Sequence, residues 1–144
     1  MKKFGMLTLI ASSLLVFGAC GSNADDDTKN TANSEVKEAG TDDKATAGII
    51  AEKVLTERYG LSDAKVDVTA DTFKVTQMPD DENADDGTEY KNVYSTIGDF
   101  ENKGESYSFD MTYSLKDDDS FSVIYFYTPF DDSKTIDTPL KSEQ

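Results

Sequence analysis

The chain has 144 residues, 29 of them acidic and 14 basic, for a net charge of −15, and it contains no His, no Trp and a single Cys. Without imidazole it has no His-based general acid or base, no Ser–His or Cys–His nucleophile and no imidazole or multi-thiolate metal site, which leaves carboxylate, Lys, Tyr and Ser chemistry and no expected cofactor. The acidity also disfavours nucleic acid and close contact with anionic lipid heads, because both demand Lys and Arg against phosphate.

The chain opens on the basic Met1-Lys2-Lys3. Residues 4–19 carry no charge, are rich in Leu, Ile, Val and Phe, and end on the small pair Gly18-Ala19 just before Cys20. That order is the order of a secretory signal. "LLVFGACGSN" then resembles the lipobox of bacterial lipoproteins, with Phe17 standing where that motif has Leu. The resemblance implies a diacylglycerol on the Cys20 thiol and cleavage between Ala19 and Cys20. An ordinary signal peptide and an uncleaved anchor are the alternatives. Residues 4–24 are uncharged, but Ser12, Ser13, Gly18, Gly21, Ser22 and Asn23 dilute the run of about 18 apolar residues a membrane helix needs. A lone Cys cannot form a disulfide within its chain. Two or three acyl chains hold a protein firmly, since each buried CH₂ contributes about 0.8 kcal/mol. The expected location is therefore the outer face of the cell membrane, with the membrane engaged through the lipid on Cys20. Loss of residues 1–19 removes Lys2 and Lys3, leaves 125 residues and takes the net charge to −17.

Residues 20–44 are Asp, Asn, Thr, Ser, Lys and Ala with almost no large apolar side chain, which predicts a disordered acidic tether behind the lipidated Cys. A flexible segment of that length reaches about 25–30 Å. Residues 45–61 predict an amphipathic helix, with Ala47, Ile50, Ala51, Val54, Leu55 and Tyr59 on one face. Gly60 is placed to close it, Arg58 complements the dipole in the last turn, and Gly48 predicts fraying at the start. Residues 64–78 alternate and then slip by one. They read either as a hairpin turning at Ala70-Asp71, with Val68 facing Phe73, or as one strand with a bulge near Ala70.

Residues 79–89 hold six carboxylates and no base. A calcium loop begun at Asp81 places Asn83 and Asp85 correctly, but Asp86 stands where Gly belongs and Asn92 where Glu belongs. No metal site is expected, and Asp81, Asn83 and Asp85 are the calcium candidate to examine.

The strongest β pattern follows. Tyr107, Phe109, Met111, Tyr113 and Leu115 alternate with Ser106, Ser108, Asp110, Thr112 and Ser114, one apolar face and one polar. Asn102-Lys103-Gly104 reads as a three-residue turn that sets Ile97 opposite Phe109 and Val93 opposite Tyr113, with Asp99 beside Tyr107 on the core side. A second turn lies at Asp117-Asp118-Asp119-Ser120. Residues 121–128 are apolar on both parities, so that strand is expected to be central or to support an added layer. Pro129 ends it, and residues 131–144 form a polar tail with a short strand at 135–137.

The fold class expected is α+β, one N-terminal helix packed on a curved antiparallel sheet of three to five strands over residues 45–130. The lipobox, the helix "IIAEKVLTERYG" and the hairpins "NKGESYSFDMTYSLKDDDSFSVIYF" together resemble the cystatin-like lipoproteins of Gram-positive bacteria. That resemblance implies fold and location and no assigned activity. The Gln-x-Val-x-Gly hairpin of the cystatin protease inhibitors is missing.

The function expected is a non-enzymatic module that binds a protein, peptide or cell-wall partner through exposed sheet aromatics, with Tyr94, Tyr125, Phe126 and Tyr127 as the candidate surface. The competing reading is that Tyr94, Tyr107, Tyr113, Tyr125 and Tyr127 fill the core beneath the helix. Two other functions are carried. One is a small-ligand carrier or carboxylate enzyme in a helix–sheet cleft, using Asp99 or Asp110 with a Tyr. The other is a mating pheromone cut from the signal peptide, since "SLLVFGA" resembles such peptides.

Overall fold

The computed structural model describes residues 37–144. Ala19, Cys20, the signal segment and most of the tether lie outside the described residues. The tether is shorter than its composition predicts. A two-residue strand, β1 (Lys37–Glu38), and the first turn of the helix α1 (Thr41–Glu57) both fall inside it. The helix begins early because Gly40 caps it: Asp43 accepts the Gly40 N–H at 2.8 Å, and Asp42 and Asp43 sit in the first turn, where negative charge complements the helix dipole.

The predicted helix face is the buried face. Ala47, Ile50, Ala51, Val54, Leu55 and Tyr59 are all buried, whereas Ile49 is 67 % exposed on the opposite side. Gly48 does not fray. It is buried, and a Cβ there would clash with Val68 Cγ1, so the helix backbone lies directly against Val68. Gly60, at φ +75, ends the helix as expected, with the Gly60 and Leu61 N–H groups closing on the carbonyls of Thr56 and Leu55. Arg58 reaches further than its own helix and donates to the carbonyls of Lys134 and Thr135.

Residues 64–78 form neither a hairpin nor a continuous strand. β2 (Lys65–Val66) and β3 (Lys74–Met78) both pair antiparallel with β6 (Val93–Asn102), end to end along the same edge, with a looped-out segment between them. Asp67 holds that loop by accepting from the Thr69 N–H at 2.9 Å and from its hydroxyl. β4 (Asp81–Glu82) and β5 (Glu89–Tyr90) make a small separate hairpin.

β6 and β7 (Glu105–Leu115) form the central hairpin. Its loop has two residues, not three: Lys103 at φ +54 and Gly104 at φ +84 join Asn102 to its partner Glu105. Two left-handed residues match the twist of the strands, and Gly takes that geometry without a Cβ penalty. The shorter loop moves the register by one residue from the expected one. Phe109 faces Gly98, Asp110 faces Ile97, and Tyr113 faces Tyr94.

β8 (Phe121–Tyr127) follows the four-residue turn at Asp117–Ser120, where Asp119 adopts φ +63. β9 (Ile136–Asp137) then pairs with β8, which bears out the short strand expected in the tail. The main sheet has seven strands in the order β1-β3-β6-β7-β8-β9, with β2 also on β6. Three of the seven, β1, β2 and β9, are only two residues long, too short to stand out as strands in the sequence.

The apolar run on both parities of β8 has a local cause. The β7–β8 register shifts between Thr112 and Tyr113, so Thr112 pairs Tyr125 while Tyr113 pairs Val123, and Ile124 is the extra residue. Such a bulge exchanges the two faces of a strand part-way along it. Phe121, Val123 and Phe126 thereby reach the core face together.

That core is one aromatic-rich cluster under α1. Phe109 stacks on Phe126 with centroids 5.7 Å apart, Tyr59 tilts against Phe126 at 5.5 Å, and Phe73 approaches Phe109 at 6.4 Å. Gly98 makes this possible. A Cβ there would lie 2.7 Å from Phe73 Cδ2 and 3.2 Å from Phe109, so the two rings close directly over the β6 backbone.

Candidate functional site

The structure separates the four candidate aromatics. Phe126 is fully buried, and Tyr94 stacks on the buried Tyr113 at 5.5 Å on the core side. These two are core residues. Tyr125 and Tyr127 lie on the opposite face of the sheet, Tyr125 half-buried and Tyr127 38 % exposed. The core reading thus holds for Tyr94, Tyr107 and Tyr113 and fails for Tyr125 and Tyr127.

Across the outer face a row of paired residues runs over four strands: Lys74 on β3, Ile97 on β6, Asp110 on β7 and Tyr127 on β8. Neighbours in such a row have Cβ atoms about 4.5–5.5 Å apart. Ile97 is 46 % exposed, and Met78, further along β3 on the same face, is 39 % exposed. The row borders an open groove of about 630 Å³ that also involves Asp71 and Asp99. Asp99 was expected on the core side. The one-residue change in register turns it outward, paired with Ser108, while Phe100 takes the place opposite Tyr107.

Asp110 is the unusual acid of this face. Burial pushes its carboxyl above the ordinary value, and a hydrogen bond from the Met111 backbone only partly opposes this. No ion pair among the described residues includes it. Tyr125, beside it, is likewise raised, first by burial and then by the negative charges of Asp110 and Asp137. No signal in the sequence singles out Ile97, because its exposure follows from a register that only the two-residue turn decides.

The other end of the outer face meets the C-terminal segment. Asp137, Thr138, Leu140 and Glu143 of the C-terminal segment border a second hollow, about 290 Å³, together with Ser95, Asp110, Thr112, Ile124 and Tyr125 of the sheet. The Thr138 N–H bonds to the Ile124 carbonyl at 3.0 Å, and Leu140 bridges to Asn83. Lys141 pairs with Glu82 at 2.6 Å, and the Ser142 hydroxyl donates to Asp81. Residues 131–144, expected to be a polar tail, are therefore a docked strap.

That docking bears on the calcium candidate. Asp81 is occupied by Ser142 and by the Glu82 N–H, and the Asn83 side-chain oxygen accepts the Asp85 N–H at 2.8 Å. Burial pushes the Asp81 carboxyl up, but these bonds outweigh it and hold the group below its ordinary range. Among the described residues no group of three or more acidic or thiol side chains is arranged to hold a metal ion.

The helix–sheet interface is filled. Ile50, Leu55, Phe73, Val75, Phe100, Met111 and Phe126 are all at most 2 % exposed there. Asp110 thus faces an open groove, not a cleft beneath the helix. Among the described residues no helix is long and apolar enough to cross a membrane. No known family, curated protein or solved structure matches this chain.

Proposed function

We propose that the chain is a non-enzymatic binding module, held outside the cell membrane by a lipid on Cys20, that engages a protein partner through the open end of its outer sheet face. The observation that supports this reading is the exposed pair Ile97 and Tyr127 flanking Asp110, which makes no ion pair among the described residues, on a sheet face where Met78 is the other exposed large apolar side chain. Apolar side chains grouped in the open on one sheet face are the kind of surface a partner covers. The anchor rests on the basic opening, the apolar run and the "GAC" junction at Cys20. One helix preceding four longer antiparallel strands supports a cystatin-like arrangement, to which the chain would add the β2 interruption and the C-terminal strap.

A small-ligand carrier or carboxylate enzyme is the second reading: the core under the helix is packed, and Asp99, Asp110 and Tyr127 instead border the open outer groove. The pheromone reading concerns residues outside those described.

Site-specific photo-crosslinking in intact cells tests the proposal. A crosslinker at Tyr127 is expected to capture one discrete partner, and the same crosslinker at the exposed Thr69, on the β2–β3 loop, is not. Ile97→Lys should abolish the capture. Equal capture from both positions, or capture unaffected by Ile97→Lys, would remove the outer face from the account.

A further inference from the structure

The open groove has a charge pattern that its apolar members alone do not explain. Its acids are Asp71, Asp99 and Asp110, and its single base is Lys74. Lys74 stands two strands from Asp110 in the cross-strand row, about 9–10 Å away at the usual strand spacing. It makes no ion pair with Asp110 among the described residues. The groove therefore carries net negative charge, and its half-buried carboxylate, Asp110, also borders the hollow beside the C-terminal strap. On one side of that carboxylate stands an aliphatic side chain, and on the other an aromatic ring.

We propose that this groove receives a lysine- or arginine-bearing segment of a partner protein, with the cationic head on Asp110 and its methylene stem across Ile97. This deepens the binding reading above and rests on it. Each part of the row answers a part of such a side chain. A long cationic residue has an apolar stem that covers aliphatic surface and a charged end that keeps a polar partner. Tyr127, the cross-strand neighbour of Asp110, supplies an aromatic ring to which a cation is attracted, more strongly as water leaves the site. Asp99 and Asp71 extend the negative charge along the groove and so favour a second basic residue on the same segment. A cation brought to Asp110 also offsets the cost that burial places on its charge, which makes binding and ionisation mutually supporting. The groove is broad and open, which suits a chain laid across a sheet and not an enclosed small molecule. The overall charge of −15 speeds the approach of such a partner and repels anionic ones.

The test is a titration of the intact chain with an acetylated, amidated hexapeptide of alternating lysine and leucine, followed by the NMR signals of the Ile97 methyl groups. Saturable shifts at Ile97 are expected, and none with the corresponding glutamate–leucine peptide. Asp110→Asn should weaken the binding about tenfold and Tyr127→Ala about threefold. Asp132→Asn, which removes an exposed acid elsewhere, should leave it unchanged. Shifts spread over all acidic surfaces, or equal weakening by Asp110→Asn and Asp132→Asn, would reduce the effect to general attraction and overturn the proposal. The proposal also falls, with the outer-face reading intact, if the Tyr127 crosslink is lost on Ile97→Lys but survives Asp110→Asn.

Discussion

The two faces of the central hairpin are built from the same two strands and end in different states. On the inner face Phe109, Met111 and Tyr113 pack with Phe73, Phe126 and the helix, and every large side chain has apolar neighbours. On the outer face Ser, Thr and Asp alternate with them, one end is bordered by the C-terminal strap, and the other end leaves Ile97 and Tyr127 open beside Asp110. Burial accounts for the inner face except for the Tyr59, Thr96 and Tyr113 hydroxyls, which are buried without a hydrogen-bond partner among the described residues. It does not account for the outer face, because a polar sheet surface needs no exposed isoleucine and no half-buried acid. On the proposed reading, Ile97 and Tyr127 are the side chains of this face left to a partner.

Substitutions on neighbouring strand positions break the comparison most sharply. Phe126→Ala empties the middle of the core and should cost about 3–5 kcal/mol in urea unfolding. Its neighbour Tyr127→Ala, on the other face, should cost under about 1 kcal/mol. Similar losses at both positions would mean that the two faces are not distinct.

A smaller effect is expected at the glycine beneath the rings. Gly98→Ala places a methyl 2.7 Å from Phe73 Cδ2, and overpacking of this kind costs about 1–3 kcal/mol. The same unfolding curves report it, and a neutral result would show that Phe73 moves freely off β6.

The strap should respond next. Asp81→Ala removes the acceptor for Ser142, with an expected loss of about 0.5–1 kcal/mol confined to the C-terminal segment. Hydrogen exchange at Thr138 reads it directly, since that amide bonds to Ile124. The Asp81 carboxyl is held below its ordinary value of 3.8, so its contribution is full above that pH and is lost as the pH falls through the lower folded value. The strap should therefore loosen in acid, and in Asp81→Ala that pH dependence should disappear.

The smallest effect has the opposite sign. Asp110 is raised above 3.8 in the folded chain, so its ionisation works against folding at neutral pH and the penalty is relieved as the pH falls through the raised value. After screening by solvent, Asp110→Asn should stabilise the chain by about 0.5 kcal/mol or less at pH 7. The gain should vanish toward pH 3.8. A variant that is more stable yet binds less well is what a carboxylate kept for a partner implies.

The inner face was legible in the sequence because it follows from period alone. The helix positions from Ala47 to Tyr59 and the alternation from Tyr107 to Leu115 each repeat along a buried side. The outer face was not legible, because it depends on register. One residue more or less in the loop at Lys103-Gly104 exchanges Asp99 for Phe100 and decides whether Asp110 stands opposite Ile97. Lys103 hides the turn, since a lysine seldom signals a positive φ, and the bulge at Ile124 left β8 apolar on both parities. The strap was hidden for a different reason. Its docking uses Asp81, Glu82 and Asn83, far away in the chain, so its polar composition alone resembled a free tail.

The open end of the outer face is, on the proposed reading, a surface kept for a partner and not a remnant of packing. Tyr127 crosslinking in cells carrying Ile97→Lys, set beside the unfolding midpoint of the same variant, measures this most directly. An unchanged midpoint with the crosslinked partner lost is the predicted result. An unchanged midpoint with the partner still captured would contradict it.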